Sequence, residues 1–128
     1  MHGRRRVVVT GLGIVCPIGN DIETAWANAV AGRSGITRIT KFDASGFNSQ
    51  IAGEVKDFDV SQYLSPKEAR RFDVFIHYGM AAGIQALKDA GIEPHPPQPE
   101  RIGVNIGSGI GGLPMIEQTD GDYRERGP

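Results

Sequence analysis

A helix with two differently built faces constrains the fold of this chain more than any other feature. We predict it from about residue 73 to residue 90, ended by Gly91. One face carries large apolar side chains, and the other carries small residues that let neighbouring backbones approach closely: Gly79, Ala81, Ala82, Gly83 and Ala86. The large face consists of Phe75, Ile76, Met80, Ile84 and Leu87. The helix is therefore predicted to be buried on more than one side, which is rare in a domain of 128 residues.

The remaining segments alternate between strand and helix patterns. Strands are predicted at 7–10, 50–55 and 101–106, and residues 33–49 and 120–128 are predicted to be loops. Asp21 can cap a helix that runs to about Val30 and stops at Gly32, and Ser65 can begin a short one as part of a capping box with Glu68. A further short helix is predicted from Pro114 through Ile116. The order of these elements predicts the α/β class.

A glycine run follows the third predicted strand. Gly107, Gly109 and Gly112 have the G-x-G-x-x-G spacing, which is typical of loops whose backbone N–H groups approach a phosphate. In dinucleotide-binding units, however, this motif follows the first strand, and an acidic residue comes about twenty positions later. The first strand here is followed by Gly11 and Gly13, but Cys16 occupies the third glycine position. Nucleotide binding is therefore a weak alternative.

The reactive side chains form no convincing catalytic group. Cys16 has the chemistry of a nucleophile, but no basic residue lies near it in sequence, and a buried, inert thiol is the favoured interpretation. His77 lies among apolar residues of a predicted helix and is expected to be structural, whereas His95 is expected to face solvent. No pair of residues has metal-ligand spacing.

Charge and hydropathy exclude several classes of partner. Fourteen basic and fifteen acidic residues give a net charge of −1, so binding to nucleic acid is not expected. The basic run at 4–6 is interpreted as a solvated lead-in to the first strand. No stretch is long and apolar enough for a membrane span, and a single cysteine excludes an internal disulfide. A cytoplasmic location is expected.

Seven segments together resemble the N-terminal part of the type II β-ketoacyl-[acyl-carrier-protein] synthases. They occur in the family's order and spacing: VVVTGLG at 7–13, PIGN at 17–20, AGRSGI at 31–36, FD at 42–43, AGEVKDF at 52–58, RRFD at 70–73 and IGSGIGGL at 106–113. The resemblance implies a thiolase-like fold with α-β-α-β-α layers and a homodimer. It also implies that residues 1–128 are most of the N-terminal half, an incomplete domain whose missing layers cover the predicted helix.

The same resemblance implies a decarboxylative Claisen condensation between a malonyl group on acyl carrier protein and an acyl group on an active-site Cys. In family members that Cys and two assisting His residues lie beyond the position of Pro128, so no catalytic residue is assigned and this segment alone is expected to be inactive. Cys16 stands where relatives have a small residue such as Ser. No cofactor and no metal are implied.

The glycine run resembles the segment that lines the acyl-chain pocket beside the dimer interface. Gly109, Ile110 and Gly111 are therefore the candidate acyl-binding residues, and Ile110 matches the side chain that projects toward the pocket. Type I relatives have Gly at this position, so Ile110 favours type II. Two alternatives stay open: a chain-length factor of a polyketide system, which shapes a pocket without condensing, and the nucleotide-binding module.

Overall fold

The computed structural model describes residues 4–128, and helices dominate this part of the chain. Its α-helices are α1 (Ile22–Val30), α2 (Pro66–Ala69), α3 (Val74–Asp89) and α4 (Leu113–Arg126), with 3-10 turns at Val60–Gln62 and Pro99–Arg101. The two strands are β1 (Ile36–Arg38) and β2 (Ile51–Gly53). No helix within residues 4–128 has the length and apolar character to cross a membrane.

Helices α1 and α2 begin where their capping residues predict. The Thr24 backbone N–H donates to Asp21 Oδ1 at 2.8 Å, and Gly32 ends α1 in the left-handed region with φ of +66°. At α2 the Glu68 N–H donates to Ser65 Oγ, while the Ser65 N–H donates to the Glu68 carboxylate at 3.0 Å. Both predictions are confirmed because capping depends only on residues within one turn.

The β1–β2 hairpin corrects the prediction that residues 33–49 are only loop. The strands pair antiparallel, with Ile36 opposite Gly53 and Arg38 opposite Ile51, so the second predicted strand is confirmed over a shorter range. The three residues of β1 have too little alternation to be recognised alone. They become a strand because β2 supplies their hydrogen-bond partners.

The Glu54 carboxylate holds the start of the connection between β1 and β2. It accepts a hydrogen bond from the Thr40 hydroxyl at 2.7 Å and from the backbone N–H groups of Thr40 and Lys41. The Thr40 hydroxyl is the main cause that lowers the pKa of Glu54 below its usual 4.5. Glu54 is therefore ionised, and can accept these bonds, down to lower pH than an ordinary glutamate.

Helix α3 lies against the segment 11–14 through its small-residue face. Gly91 ends the helix with φ of +68°, as the sequence predicts, and the structure adds Asp73 as its N-cap residue. A methyl group on Gly13 would lie 2.8 Å from the Ala86 nitrogen, and it would overlap the Ala82 carbonyl oxygen. The close backbone approach predicted for this face is confirmed.

Two side chains of α3 also hold the same segment by hydrogen bonds. The Leu12 N–H donates to Asp89 Oδ2 at 2.9 Å, and the Ile14 N–H donates to Gln85 Oε1 at 3.1 Å. The Gln85 amide nitrogen in turn donates to the Asn20 carbonyl oxygen and to the Tyr63 hydroxyl. Gln85 thus joins three segments that are distant in sequence.

The large apolar face of α3 is not buried, contrary to the prediction of burial on more than one side. Of the residues of α3 only Ala81 is fully buried, while Phe75, Met80, Ile84 and Leu87 each keep nearly two fifths of their surface exposed. Within residues 4–128 the buried hydrophobic residues are only Ala25, Ala44, Leu64 and Ala81. No layer formed by residues 4–128 covers this face.

Two of the predicted strands, at 7–10 and 101–106, do not form within residues 4–128. Residues 7–10 have no ladder partner, and Val7 and Val9 are 93% and 79% exposed. Likewise 102–106 pairs with no other strand, and Arg101 belongs to a 3-10 turn. A β-branched run favours a strand only where a neighbouring strand accepts its hydrogen bonds, and residues 4–128 supply none to either segment.

Helix α4 is longer than predicted, and the tail from 120 onward is helical instead of a loop. Asp120 and Asp122 form ion pairs one turn apart with Arg124 and Arg126, at 2.9 and 3.8 Å. The segment has no apolar stripe, so the hydrophobic pattern gives no helix signal there.

Candidate functional site

The glycine run connects the unpaired segment 102–106 to the first turn of α4. Gly112 is the N-cap residue of α4 and has φ of +78°, a conformation that favours glycine. Gly111 lies on the ring of Phe75 in α3, and a Cβ at position 111 would be 2.6 Å from the ring. The end of the run is therefore fixed on the first turn of α3.

A buried carboxylate joins the starts of α3 and α4. Asp73 is 8% exposed; its Oδ1 accepts from the Val74 N–H at 2.6 Å, and its Oδ2 accepts from the Met115 N–H at 3.2 Å. Both donors belong to first helical turns, where N–H groups lack partners within the helix and favour a negative charge. Asp73 was not identified as a site residue from the sequence. Its position ahead of a predicted helix is a capping signal, but only the tertiary fold reveals the second helix.

The candidate acyl-binding residues lie at the surface of this junction. Ile110 is 80% exposed, and a Cβ at Gly109 would meet no atom within 4 Å. Gly111 is half-buried against Phe75. The structure therefore places the three residues on one exposed turn, with Ile110 as its projecting side chain.

An apolar cavity of about 510 Å³ begins immediately before that turn. Gly107 and Ser108 form one wall, and α3 forms the other with Phe75, Met80 and Tyr78 among its lining residues. Burial raises the pKa of the Tyr78 hydroxyl above its usual 10, so this group is neutral at ordinary pH. The lining is suited to an uncharged, apolar ligand.

A phosphate site receives little support from either glycine-rich segment. At α4 the Met115 N–H already donates to Asp73, and Pro114 has no N–H to offer. At 11–13 the Leu12 N–H already donates to the Asp89 carboxylate. A carboxylate next to each loop would repel a phosphate, so the geometry does not favour the nucleotide-binding alternative.

The other reactive residues have structural surroundings. Cys16 is half-buried, which corrects the expectation of full burial, and its backbone pairs with Gly19 in an isolated bridge. His77 Nε2 lies 3.0 Å from the Ala69 carbonyl oxygen; because a carbonyl only accepts, this nitrogen donates. This structural role for His77 and the exposed position of His95 confirm the predictions for both. Residues 4–128 contain no cluster of three or more His, Cys, Asp or Glu that could bind a metal.

Comparison with known proteins gives the family. The model of the family described as "Beta-ketoacyl synthase, N-terminal domain" matches residues 4–127. This chain belongs to that family.

Three curated relatives that match along nearly the whole chain are each named 3-oxoacyl-[acyl-carrier-protein] synthase 2. Identity is 53% over 125 residues with the protein of Vibrio cholerae, 47% with that of Coxiella burnetii and 42% over 128 residues with that of Staphylococcus aureus. These alignments cover 98–100% of this chain. The chain spans only about 30% of the length of these relatives.

Solved structures of ketosynthases have the same fold. A structure described as a type II polyketide synthase acyl carrier protein in complex with its ketosynthase aligns with 98% of this chain and 33% of its own length, at a TM-score of 0.74 and 27% identity. The ishigamide ketosynthase/chain length factor aligns with 71% of this chain and 23% of its own length, at a TM-score of 0.65 and 38% identity. The thiolase-like α/β fold class inferred from the sequence is thereby confirmed.

Proposed function

We propose that the protein to which this chain belongs is an elongating 3-oxoacyl-[acyl-carrier-protein] synthase of fatty-acid biosynthesis. In the proposed reaction malonyl carrier protein loses CO2, and the electron pair of the broken C–C bond attacks the acyl carbon of a Cys thioester. The C–S bond breaks, the Cys thiol is regenerated and a 3-oxoacyl carrier protein is released. The observation that carries the proposal is the 53% identity with the Vibrio cholerae synthase along nearly all of this chain.

Residues 1–128 correspond, in this proposal, to the N-terminal part of the synthase's N-terminal domain. They contribute no catalytic residue, and the nucleophilic Cys and its His partners belong to the two thirds of the relatives' length that this chain does not span. The role of this part is to shape the acyl pocket through Gly109, Ile110 and Gly111. The adjoining apolar cavity and the exposed Ile110 support that assignment.

The proposed partners are acyl-loaded and malonyl-loaded acyl carrier protein and a second copy of the synthase. One of the similar structures is a ketosynthase in complex with its acyl carrier protein, which supports the carrier protein as a partner. The exposed apolar side chains around the glycine run are suited to a protein–protein interface, which supports the second. The proposed location is the cytoplasm, in keeping with the fatty-acid synthase enzymes that the chain resembles.

Purified full-length protein tests the activity directly. We expect it to convert malonyl carrier protein and a saturated acyl carrier protein into a 3-oxoacyl carrier protein that is two carbons longer than the primer, with one CO2 released per product. Intact-protein mass spectrometry measures the lengthened product, and trapping of 14C-labelled carbon dioxide measures the CO2 that is released. Reactions without acyl primer are the control.

The same assay separates the condensing enzyme from the chain-length factor. An enzyme condenses without any second type of subunit, whereas a chain-length factor gives no product alone. Product that forms only after a separate ketosynthase is added would overturn the proposal. The similarity to the ishigamide ketosynthase/chain length factor makes this comparison necessary, although the curated relatives do not favour that alternative.

A further inference from the structure

We propose that Asp73 is a positioning residue for the acyl pocket: it fixes the glycine run, and through it Ile110, and so sets which acyl lengths are accepted. This inference rests on the proposed function. It assigns no contact between Asp73 and the acyl chain. The argument depends on three observations at the junction of α3 and α4.

The first observation is that both oxygens of the Asp73 carboxylate are used. One accepts from Val74 in α3 at 2.6 Å, and the other accepts from Met115 in α4 at 3.2 Å, across 42 positions of sequence. A carboxylate provides two acceptor oxygens, whereas a carboxamide provides only one. Asp73 is therefore suited to hold two helix starts at once.

The second observation is burial. Asp73 is the only buried charged residue within residues 4–128. Because it is only 8% exposed, water does not readily replace the hydrogen bonds that its carboxylate accepts. A hydrogen bond to a charged group is roughly twice as strong as one between neutral groups. Losing the Met115 bond would leave a first-turn N–H of α4 without its acceptor, and the start of α4 would then move to find one.

The third observation connects this bridge to Ile110. Gly111, the next residue, lies on the Phe75 ring, and a Cβ on Gly112 would be 3.6 Å from Asp73 Oδ2. The residues after Ile110 are thus seated on the first turn of α3, and the Asp73–Met115 bond holds α4 against the same turn. If that bond is lost, the glycine run shifts and Ile110 shifts with it.

The matched variants are Asp73→Asn and Asp21→Asn in the full-length protein. Asn is as good an N-cap as Asp, so Asp73→Asn keeps the cap of α3 but loses one of the two acceptors. Asp21→Asn makes the same change at the cap of α1, where the Asp21 carboxylate accepts hydrogen bonds from the backbone and the hydroxyl of Thr24. The difference between the two variants isolates the bridge to α4.

We expect Asp73→Asn to change the ratio of kcat/KM between a long and a short acyl carrier protein primer by roughly tenfold, the loss of one charge-assisted hydrogen bond. The kcat for the short primer should stay within about twofold, because no reacting atom is touched. Hydrogen–deuterium exchange should show faster exchange in the peptide that spans 106–116. Asp21→Asn should match the wild type in all three measurements.

An unchanged ratio in Asp73→Asn would overturn the proposal, as would equal losses for both primers. If Asp73→Asn does not fold, Asp73→Ser also caps α3 without reaching both helices, and the same changes are expected of it. If Asp73→Asn and Asp73→Ser both misfold while Asp21→Asn folds, the role of Asp73 is purely structural, and the proposal is overturned in that case too. If the wild type proves inactive, the proposed function fails, and exchange at 106–116 still decides whether Asp73 holds the run.

Discussion

Ile110 is a large aliphatic residue whose exposure calls for a ligand or partner. It is 80% exposed between two glycines, and leaving a large aliphatic side chain in water forgoes about 1.5–3 kcal/mol relative to burying it. Its neighbours explain why the backbone has this path: Gly111 meets Phe75, and Gly112 adopts a positive φ. The side chain itself is left free to contact an apolar group.

Under the proposed function, replacing Ile110 by Phe should shorten the acyl chains that the full-length protein accepts. The larger ring occupies space that a long chain would enter, so kcat/KM for long primers should fall roughly tenfold or more, while short primers change little. Steady-state kinetics with a series of saturated acyl carrier proteins measures this. Ile51→Phe, at an exposed position of β2, is the control. A uniform effect at every chain length would contradict the assignment of Ile110 to the pocket.

At the scale of elements, the segment 11–14 packs against α3 at a distance that only glycine allows. Among the glycines of residues 4–128, Gly11 and Gly13 make the closest backbone approaches. Gly11 and Gly13 both approach the helix backbone so closely that a methyl group would overlap a carbonyl oxygen of α3. The Asp89 and Gln85 side chains then satisfy the N–H groups of the segment. The two glycines are thus needed for the hydrogen bonds to form.

Gly13→Ala should destabilise the full-length protein by roughly 3 kcal/mol or more, because the added methyl meets backbone atoms of Ala82 and Ala86 that cannot move aside. Chemical denaturation monitored by circular dichroism measures the free energy of unfolding. Gly46→Ala is the matched control: a Cβ there meets nothing within 4 Å, so a change of no more than about 0.5 kcal/mol is expected. Equal stabilities for the two variants would disprove the close approach.

At the scale of the whole molecule, the described chain exposes far more apolar side chain than a stable monomer does. Val7, Val104 and Trp26 are each at least 70% exposed, and the apolar groove between α3 and Val104 has a volume of about 680 Å³. Exposed apolar surface on this scale marks an interaction surface. In the relatives, the remaining two thirds of the length is available to cover it.

The isolated segment 1–128 should therefore lack a stable native state and should be unable to condense acyl groups. We expect it to bind the dye ANS and to unfold without a sharp thermal transition, in contrast to the full-length protein. Calorimetry and a two-dimensional amide NMR spectrum provide the measurement. A cooperative transition with a well-dispersed spectrum would contradict this prediction.

The sequence alone determined the features that depend on neighbouring residues. The caps at Asp21 and Ser65 and the glycine stops of α1 and α3 are short-range signals, and the structure has each of them where the sequence predicts it. The small residues of α3 likewise predicted a close backbone approach, although not which segment would approach. The family resemblance pointed to Ile110.

Only the tertiary structure decided the features that need partners from distant parts of the chain. The β1 strand exists because β2 pairs with it, while residues 7–10 and 102–106 stay unpaired because residues 4–128 give them no neighbour. The link from Asp73 to Met115 was equally invisible, since one carboxylate at one helix start gives no sign of a second helix. Capping is a local interaction, whereas strand pairing, burial and the shape of a site are set by contacts between segments that the sequence pattern does not connect.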